Sequence, residues 1–352
     1  MKSKRAVLAA LLIALAFAYI AAAAFLWPYR DIFLPGAASA PDPLVELSYI
    51  SPQAPLSLVV EPDDGIAPVA NALAQAHSTV DLVVYELEDP QLEAELADDE
   101  ARGVAVRVLL DNLSSFGNHP NQAAYDFLQS HSVPVEWTPK YFPLTHQKTL
   151  VVDGTEALIM TFNLATKYYT TSRDFAVVDD DARDVAAIAA AFDSDWRGSR
   201  TTASAADNLV WSPGSSAMLL ALIASATTSL DVYNEEMADP RIIAALEAAS
   251  RRGVDVRVDM SYDTNWKAAF NELVVAGVGV RTYSSSATFY IHAKAIIADG
   301  AKAFVGSENF STQSMDGNRE LGILVARPDI IGQLEETFEA DWAGSRPYSI
   351  RQ

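Results

Sequence analysis

From residue 56 onward, short apolar runs alternate with longer segments whose apolar side chains recur at helical spacing, so strands and amphipathic helices are expected in turn. Residues 56–62 read as a strand closed by Pro62, followed by an Ala-rich amphipathic stretch and a second strand over 80–86. Asp89-Pro90 then opens a helix, with a capping side chain followed by proline at the first helical position. Gly103 ends that helix and Val104, Val106 and Val108 begin the next strand. The same succession returns at 208–213, at 230–234, at Asp239-Pro240 and at 252–258. Asp195-Trp196 and Asp341-Trp342 stand 146 residues apart, and so do His146 and His292. The body is one unit written twice. It predicts an α/β fold of two homologous lobes, each a sheet flanked by helices, related by a pseudo-two-fold within a single unit. The lobes span 56–200 and 208–346, and the small polar stretch 201–207 links them.

Ahead of the body the pattern changes. Residues 6–27 are 22 consecutive apolar residues behind Lys2, Lys4 and Arg5. That length matches a membrane span and exceeds the core of a signal peptide. Trp27 and Tyr29 fall where interfacial aromatics belong, and the cationic flank keeps the N-terminus cytoplasmic. Residues 1–30 are therefore expected to be a transmembrane signal-anchor, placing the body outside the cytoplasm at the cell membrane. Ala38-Ser39-Ala40 offers the alternative of a secreted form cleaved near Ala40. Pro35, Pro41, Pro43, Pro52 and Pro55 mark 31–55 as a linker.

Composition narrows the chemistry. The chain has 352 residues, half of them apolar, and no Cys, which excludes disulfides, thiolate catalysis and Cys-type zinc sites. The net charge of −21 argues against nucleic acid as a partner, since a broad basic footprint is missing. Only eight Lys occur, so each Lys inside an apolar segment carries information.

Two of them recur in register. His146-Gln-Lys148 with Asp153 five residues on is matched in spacing by His292-Ala-Lys294 with Asp299. On an extended strand, residues two apart point to one face, so each His and its Lys are expected side by side. Asn163 and Asn309 follow at equal offsets, and Asp174 and Glu320 each come 28 residues after their own His. Two facing imidazoles suit phosphoryl transfer: one attacks phosphorus and the other protonates the leaving oxygen. Lys148, Lys294 and the two Asn amides would hold the phosphate charge, so no metal or other cofactor is called for. Asp174 and Glu320 are expected behind the imidazoles, fixing their tautomers.

The paired His-x-Lys-x4-Asp motif, followed in the second half by Gly306-Ser307-Glu308-Asn309, resembles the phospholipase D superfamily over about residues 56–346. The resemblance implies two lobes in one chain, a shared active site and a covalent phosphohistidine formed without metal. It implies His146 as nucleophile and His292 as acid. It further implies a monomer, because both motifs lie in one chain, acting on phospholipid. The leading expectation is hydrolysis of a glycerophospholipid such as phosphatidylcholine. The alternatives are phosphatidyl transfer of the cardiolipin-synthase kind, and a nuclease.

The halves differ at one point of the motif. Met160-Thr161-Phe162 stands where the second half has Gly306-Ser307-Glu308, which is expected to make the phosphate pocket lopsided, with Ser307 and Thr161 as supporting residues. Asp153 and Asp299 precede glycines at strand ends and are expected to serve structurally. Tyr141, Phe142, Phe289 and Tyr290 flank the motifs as either an apolar lip or core, and Tyr168 and Tyr169 follow Asn163 in a loop. Asp179-Asp180-Asp181 reads as a solvated turn rather than a calcium loop. His77, His119 and His131 have no repeat partner.

Overall fold

In the computed structural model, residues 47, 50–112, 119–199 and 208–350 are described, and Pro43–Gln352 form one compact unit. The first lobe runs β1 (Leu56–Glu61), β2 (Thr79–Val84), β3 (Leu87–Glu88), β4 (Ala105–Leu110), β5 (Val135–Trp137), β6 (Thr149–Val152), β7 (Glu156–Met160), β8 (Leu164–Ala165) and β9 (Ser172–Asp179). The second runs β10 (Leu209–Ser212), β11 (Ser229–Tyr233), β12 (Asp255–Ser261), β13 (Gly279–Tyr283), β14 (Tyr290–Ile291), β15 (Ala295–Ala298), β16 (Lys302–Gly306), β17 (Glu320–Val325) and β18 (Arg346–Pro347).

The two main sheets have one topology. Strand order is β1-β9-β7-β6-β2-β4-β5 in the first lobe and β10-β17-β16-β15-β11-β12-β13 in the second, where β18 adds an edge. Helices flank each sheet, and the duplicated caps work alike. Asp89 accepts from the backbone N–H of Gln91 and Leu92, and Asp239 from those of Arg241 and Ile242. Gly103 and Gly253 leave those helices at φ near +95° and +91°, which only glycine adopts cheaply.

The lobes share a core. Phe175, Val177 and Ile159 of the first sheet pack in one cluster with Tyr233, Ile297 and Val305 of the second and with Phe338 of the helix Pro328–Gly344. The strands are apolar on both sides because one face meets helices and the other meets the opposite lobe and the helices Ala182–Trp196 and Pro328–Gly344. Backbone pairing also crosses: β14 of the second lobe adds in parallel to β9 of the first, and Thr145 bridges to Arg319 in return. Two buried ion pairs repeat the exchange. Arg173 Nε donates to Asp341 at 2.7 Å, and Arg319 Nε donates to Asp195 at 2.8 Å, so each Asp-Trp pair anchors the other lobe's arginine.

The proposed membrane segment, much of the Pro-rich stretch and the interlobe linker 201–207 lie outside the described residues. No helix among the described residues is long and apolar enough to cross a membrane. Ile50 and Ala54, within the stretch read as linker, are buried against the body. Asp179 is buried at the end of β9 and Asp181 caps the following helix, Ala182–Trp196, while Asp180 between them is exposed.

Candidate functional site

His146 and Lys148 sit in the extended lead-in to β6, and His292 and Lys294 in the lead-in to β15; the strands proper begin one residue after each Lys. Each lead-in is fixed by backbone bonds to the other lobe: His146 N–H donates to Arg319 O at 2.9 Å, and Ala293 N–H to Arg173 O at 2.8 Å. Both imidazoles reach one cleft of about 660 Å³, lined also by Asn163 and Asn309.

Behind each imidazole stands a carboxylate, and it comes from the opposite lobe. His146 Nδ1 donates to Glu320 Oε2 at 3.0 Å and lies 3.2 Å from Ser307 O. His292 Nδ1 donates to Asp174 Oδ1 at 2.8 Å. The 28-residue offset within each half therefore places the carboxylate behind the other half's His. Thr161 Oγ donates to Asp174 at 2.6 Å, and Ser314 Oγ to Glu320 at 2.6 Å. With Nδ1–H held this way, Nε2 of each ring faces the cleft.

Each lysine is wholly buried and turns its ammonium onto its own His carbonyl, Lys148 at 2.6 Å and Lys294 at 2.5 Å. Burial, joined by the charge of Lys294, pulls the Lys148 ammonium down to about 7. Burial and the charge of Lys148 likewise lower His146 to about 4, leaving a neutral ring at neutral pH.

The Asn side chains sit at the cleft wall, and among the described residues neither amide oxygen has a hydrogen-bond partner. Ser307 and Thr161 are fully buried; Ser307 Oγ accepts from Leu321 N–H at 3.2 Å. The Met-for-Gly difference falls in the core behind them. A Cβ on Gly306 would come within 2.5 Å of Gly322 Cα and 2.7 Å of the Phe304 ring, whereas Met160 lies opposite Ala176. Neither Met160 nor Gly306 lines the cleft, so the expected lopsidedness does not arise there.

It arises at a pair that motif spacing does not reveal. Tyr85 and Glu235 each stand four residues before the helix-capping Asp, at the same point of the repeat. Tyr85 lies under Lys148 Nζ, 5.0 Å from its ring centre, and edge-on to His146. Glu235 instead accepts from Lys294 Nζ at 3.0 Å and lies 3.4 Å from His292 Nε2. Burial alone would raise this carboxyl, but Lys294, His292 and His146 hold it well below the usual range. Glu308, in the variable place of the second motif, is fully buried, and burial together with Glu320 pushes its carboxyl well up.

Asp153 and Asp299 sit away from the cleft at φ +54° and +56°. Asp153 accepts the backbone N–H groups of His77, Ser78 and Thr79, and Asp299 those of Thr227, Thr228 and Ser229. Each ties the end of a motif strand to the start of its antiparallel neighbour, β2 or β11. Of the flanking aromatics, Tyr290 and Tyr168 line the cleft. Tyr141 donates to Asp195, Phe142 packs on Arg319, Phe289 on Arg173, and Tyr169 donates to Asp89. None of His77, His119 and His131 reaches the cleft.

A family described as "Cardiolipin synthase, PLD-like domain" matches residues 69–196 and again 219–342. Cardiolipin synthase 2 of Bacillus cereus is 24% identical over 79% of this chain and 63% of its own length. A mitochondrial cardiolipin hydrolase of Danio rerio is 30% identical over 38% of this chain and 59% of its own. The chain thus spans less than two thirds of these relatives' lengths. The solved phosphatidylserine synthase of Haemophilus influenzae shares the fold, with a TM-score of 0.66 at 11% identity over 83% of this chain and 87% of that one.

Proposed function

The chain belongs to the phospholipase D superfamily, through its two matches to the PLD-like domain, and on that premise we propose that it is a phosphatidyl transferase of the cardiolipin-synthase kind. The observation that carries this reading is the pair of crossed His–carboxylate contacts opening on one cleft. In the first step His146 Nε2 attacks the phosphorus of a phosphatidyl donor. The P–O bond to the head-group alcohol breaks, and His292 Nε2–H gives its proton to the departing oxygen. In the second step a hydroxyl of another phospholipid attacks phosphorus, its proton passes to His292, and the P–N bond breaks.

Two features support the division of labour. The neutral His146 ring offers a lone pair, whereas the Glu235 carboxylate stands 3.4 Å from His292 Nε2. In this reading Lys148, Lys294, Asn163 and Asn309 would hold the phosphoryl oxygens. Asp174 and Glu320 set the rings, while Thr161 and Ser307 brace the carboxylates' surroundings.

The choice of acceptor rests on the relatives. The family description and the Bacillus cereus protein carry the name of a synthase, which favours a lipid hydroxyl over the phosphatidylcholine hydrolysis expected from the sequence. The apolar segment 6–27 would hold the cleft at a membrane where both lipids reside. The test is product analysis: full-length chain in phosphatidylglycerol vesicles should yield cardiolipin and glycerol. Phosphatidic acid and glycerol as the only products would overturn the transfer reading.

A further inference from the structure

In the first lobe the ammonium of Lys148 faces an aromatic ring; in the second, Lys294 faces a carboxylate. Glu235 Oε2 accepts from Lys294 Nζ at 3.0 Å and from Asn309 Nδ2 at 3.4 Å, with His292 Nε2 also 3.4 Å away. These are the three second-lobe groups that the proposed reaction needs for the phosphate. Its other oxygen, Oε1, accepts from Tyr290 Oη at 3.2 Å, at the exposed edge of the cleft.

A phosphate oxygen and a carboxylate oxygen cannot use these donors together. At separations of 3 to 4 Å two like charges repel strongly even in a moderately screened site, so one must leave. The Glu235 side chain is 27% exposed, unlike the fully buried Lys294 it contacts, and so has solvent to turn into.

We propose that Glu235 is a specificity-determining residue that competes with phosphate for the second-lobe donors, so that small soluble phosphates are kept out while a lipid phosphodiester displaces it. A ligand carrying acyl chains brings binding energy that does not depend on these donors, and can use it to move the carboxylate. Inorganic phosphate or a soluble diester has no such source. The inference rests on the reading of this cleft as the phosphate site, and the two can fail separately.

The probe is inorganic phosphate, titrated calorimetrically into full-length chain in detergent at fixed pH. Wild type should bind weakly and Glu235→Gln about tenfold or more tightly, a change equivalent to losing one competing charge–charge contact. Tyr290→Phe, which releases only the outer oxygen, should fall between them and serves as the second variant should Glu235→Gln misfold. Adding Lys294→Met to Glu235→Gln should abolish the gain. A soluble chromogenic phosphodiester should gain in kcat/KM through a lower KM in Glu235→Gln, with a smaller change in KM for the lipid. Equal or weaker phosphate binding by both Glu235→Gln and Tyr290→Phe overturns the proposal while leaving the site reading intact. Tightened binding that survives Lys294→Met overturns both, because the phosphate would then sit elsewhere.

Discussion

Glu320, in the second lobe, accepts a hydrogen bond from His146 in the first at 3.0 Å, and Asp174 in the first lobe accepts one from His292 in the second at 2.8 Å. Neither lobe therefore contains a complete His–carboxylate pair. The site exists only when the lobes are docked, and the buried Arg173–Asp341 and Arg319–Asp195 pairs beside it hold that docking.

Removing the charge of either carboxylate while keeping its shape should disable its imidazole. Glu320→Gln and Asp174→Asn are each expected to lower kcat by on the order of 10²- to 10⁴-fold with little effect on KM, as when a His loses the group that fixes its tautomer. Steady-state kinetics on phosphatidylglycerol vesicles measures this. Activity within a few fold of wild type would show that the crossed contacts do not orient the rings.

Breaking the crossed ion pairs should loosen the lobes. Arg173 and Asp341 are both nearly buried, so Arg173→Met leaves a carboxylate without its partner at a cost of about 3–5 kcal/mol. Denaturant unfolding should report that loss, and Asp341→Leu added to Arg173→Met should recover part of it. A loss below about 1 kcal/mol would mean that the pair contributes nothing to docking.

Lys148 supplies a pH dependence. Its ammonium titrates at about 7 in the empty site because burial and Lys294 disfavour the charge. A bound phosphate favours the charged form, so binding should take up protons and weaken as pH rises through and above about 7. Titrations with a soluble phosphodiester, which does not itself titrate in this range, in buffers of different ionisation enthalpy check the sign; proton release would contradict it.

Asp153 and Asp299 should matter for stability and not for chemistry. Each gathers three backbone N–H groups, and these bonds hold both carboxyls well below the usual range, with burial opposing them. A carboxyl lowered in the folded state contributes stability above its unfolded value near 4, and that contribution fades as pH falls below it. Asp153→Ala or Asp299→Ala is expected to cost about 1–3 kcal/mol in thermal or denaturant unfolding at pH 7, with KM unchanged.

Much of this was legible in the chain because the repeat writes each element twice. The Asp-Pro helix caps, the glycine exits and the matched His and Lys positions all follow from local spacing, and local spacing is what caps and strands obey. The crossing of Asp174 and Glu320 was not legible, since an offset of 28 residues fixes a place within a lobe but not the lobe it faces. Glu235 stayed hidden for a related reason: its repeat counterpart is Tyr85, so a search for matched chemistry passes over it. In sequence the Gly306 difference suggests a pocket feature, whereas close packing against Gly322 and Phe304 accounts for it. Comparing the halves for mismatched charge, rather than for identity, is the signal that would have found Glu235.

A two-step transfer of this kind passes through a phosphatidyl group held on an imidazole of the first lobe. Full-length wild type and the His146→Ala and His292→Ala variants can be incubated with phosphatidylglycerol labelled in its phosphate, quenched rapidly, and mapped by mass spectrometry. A phosphatidyl adduct on His146 is expected in wild type, with its absence in His146→Ala and loss of turnover in both variants. Label on His292, or full turnover by His146→Ala, would contradict it.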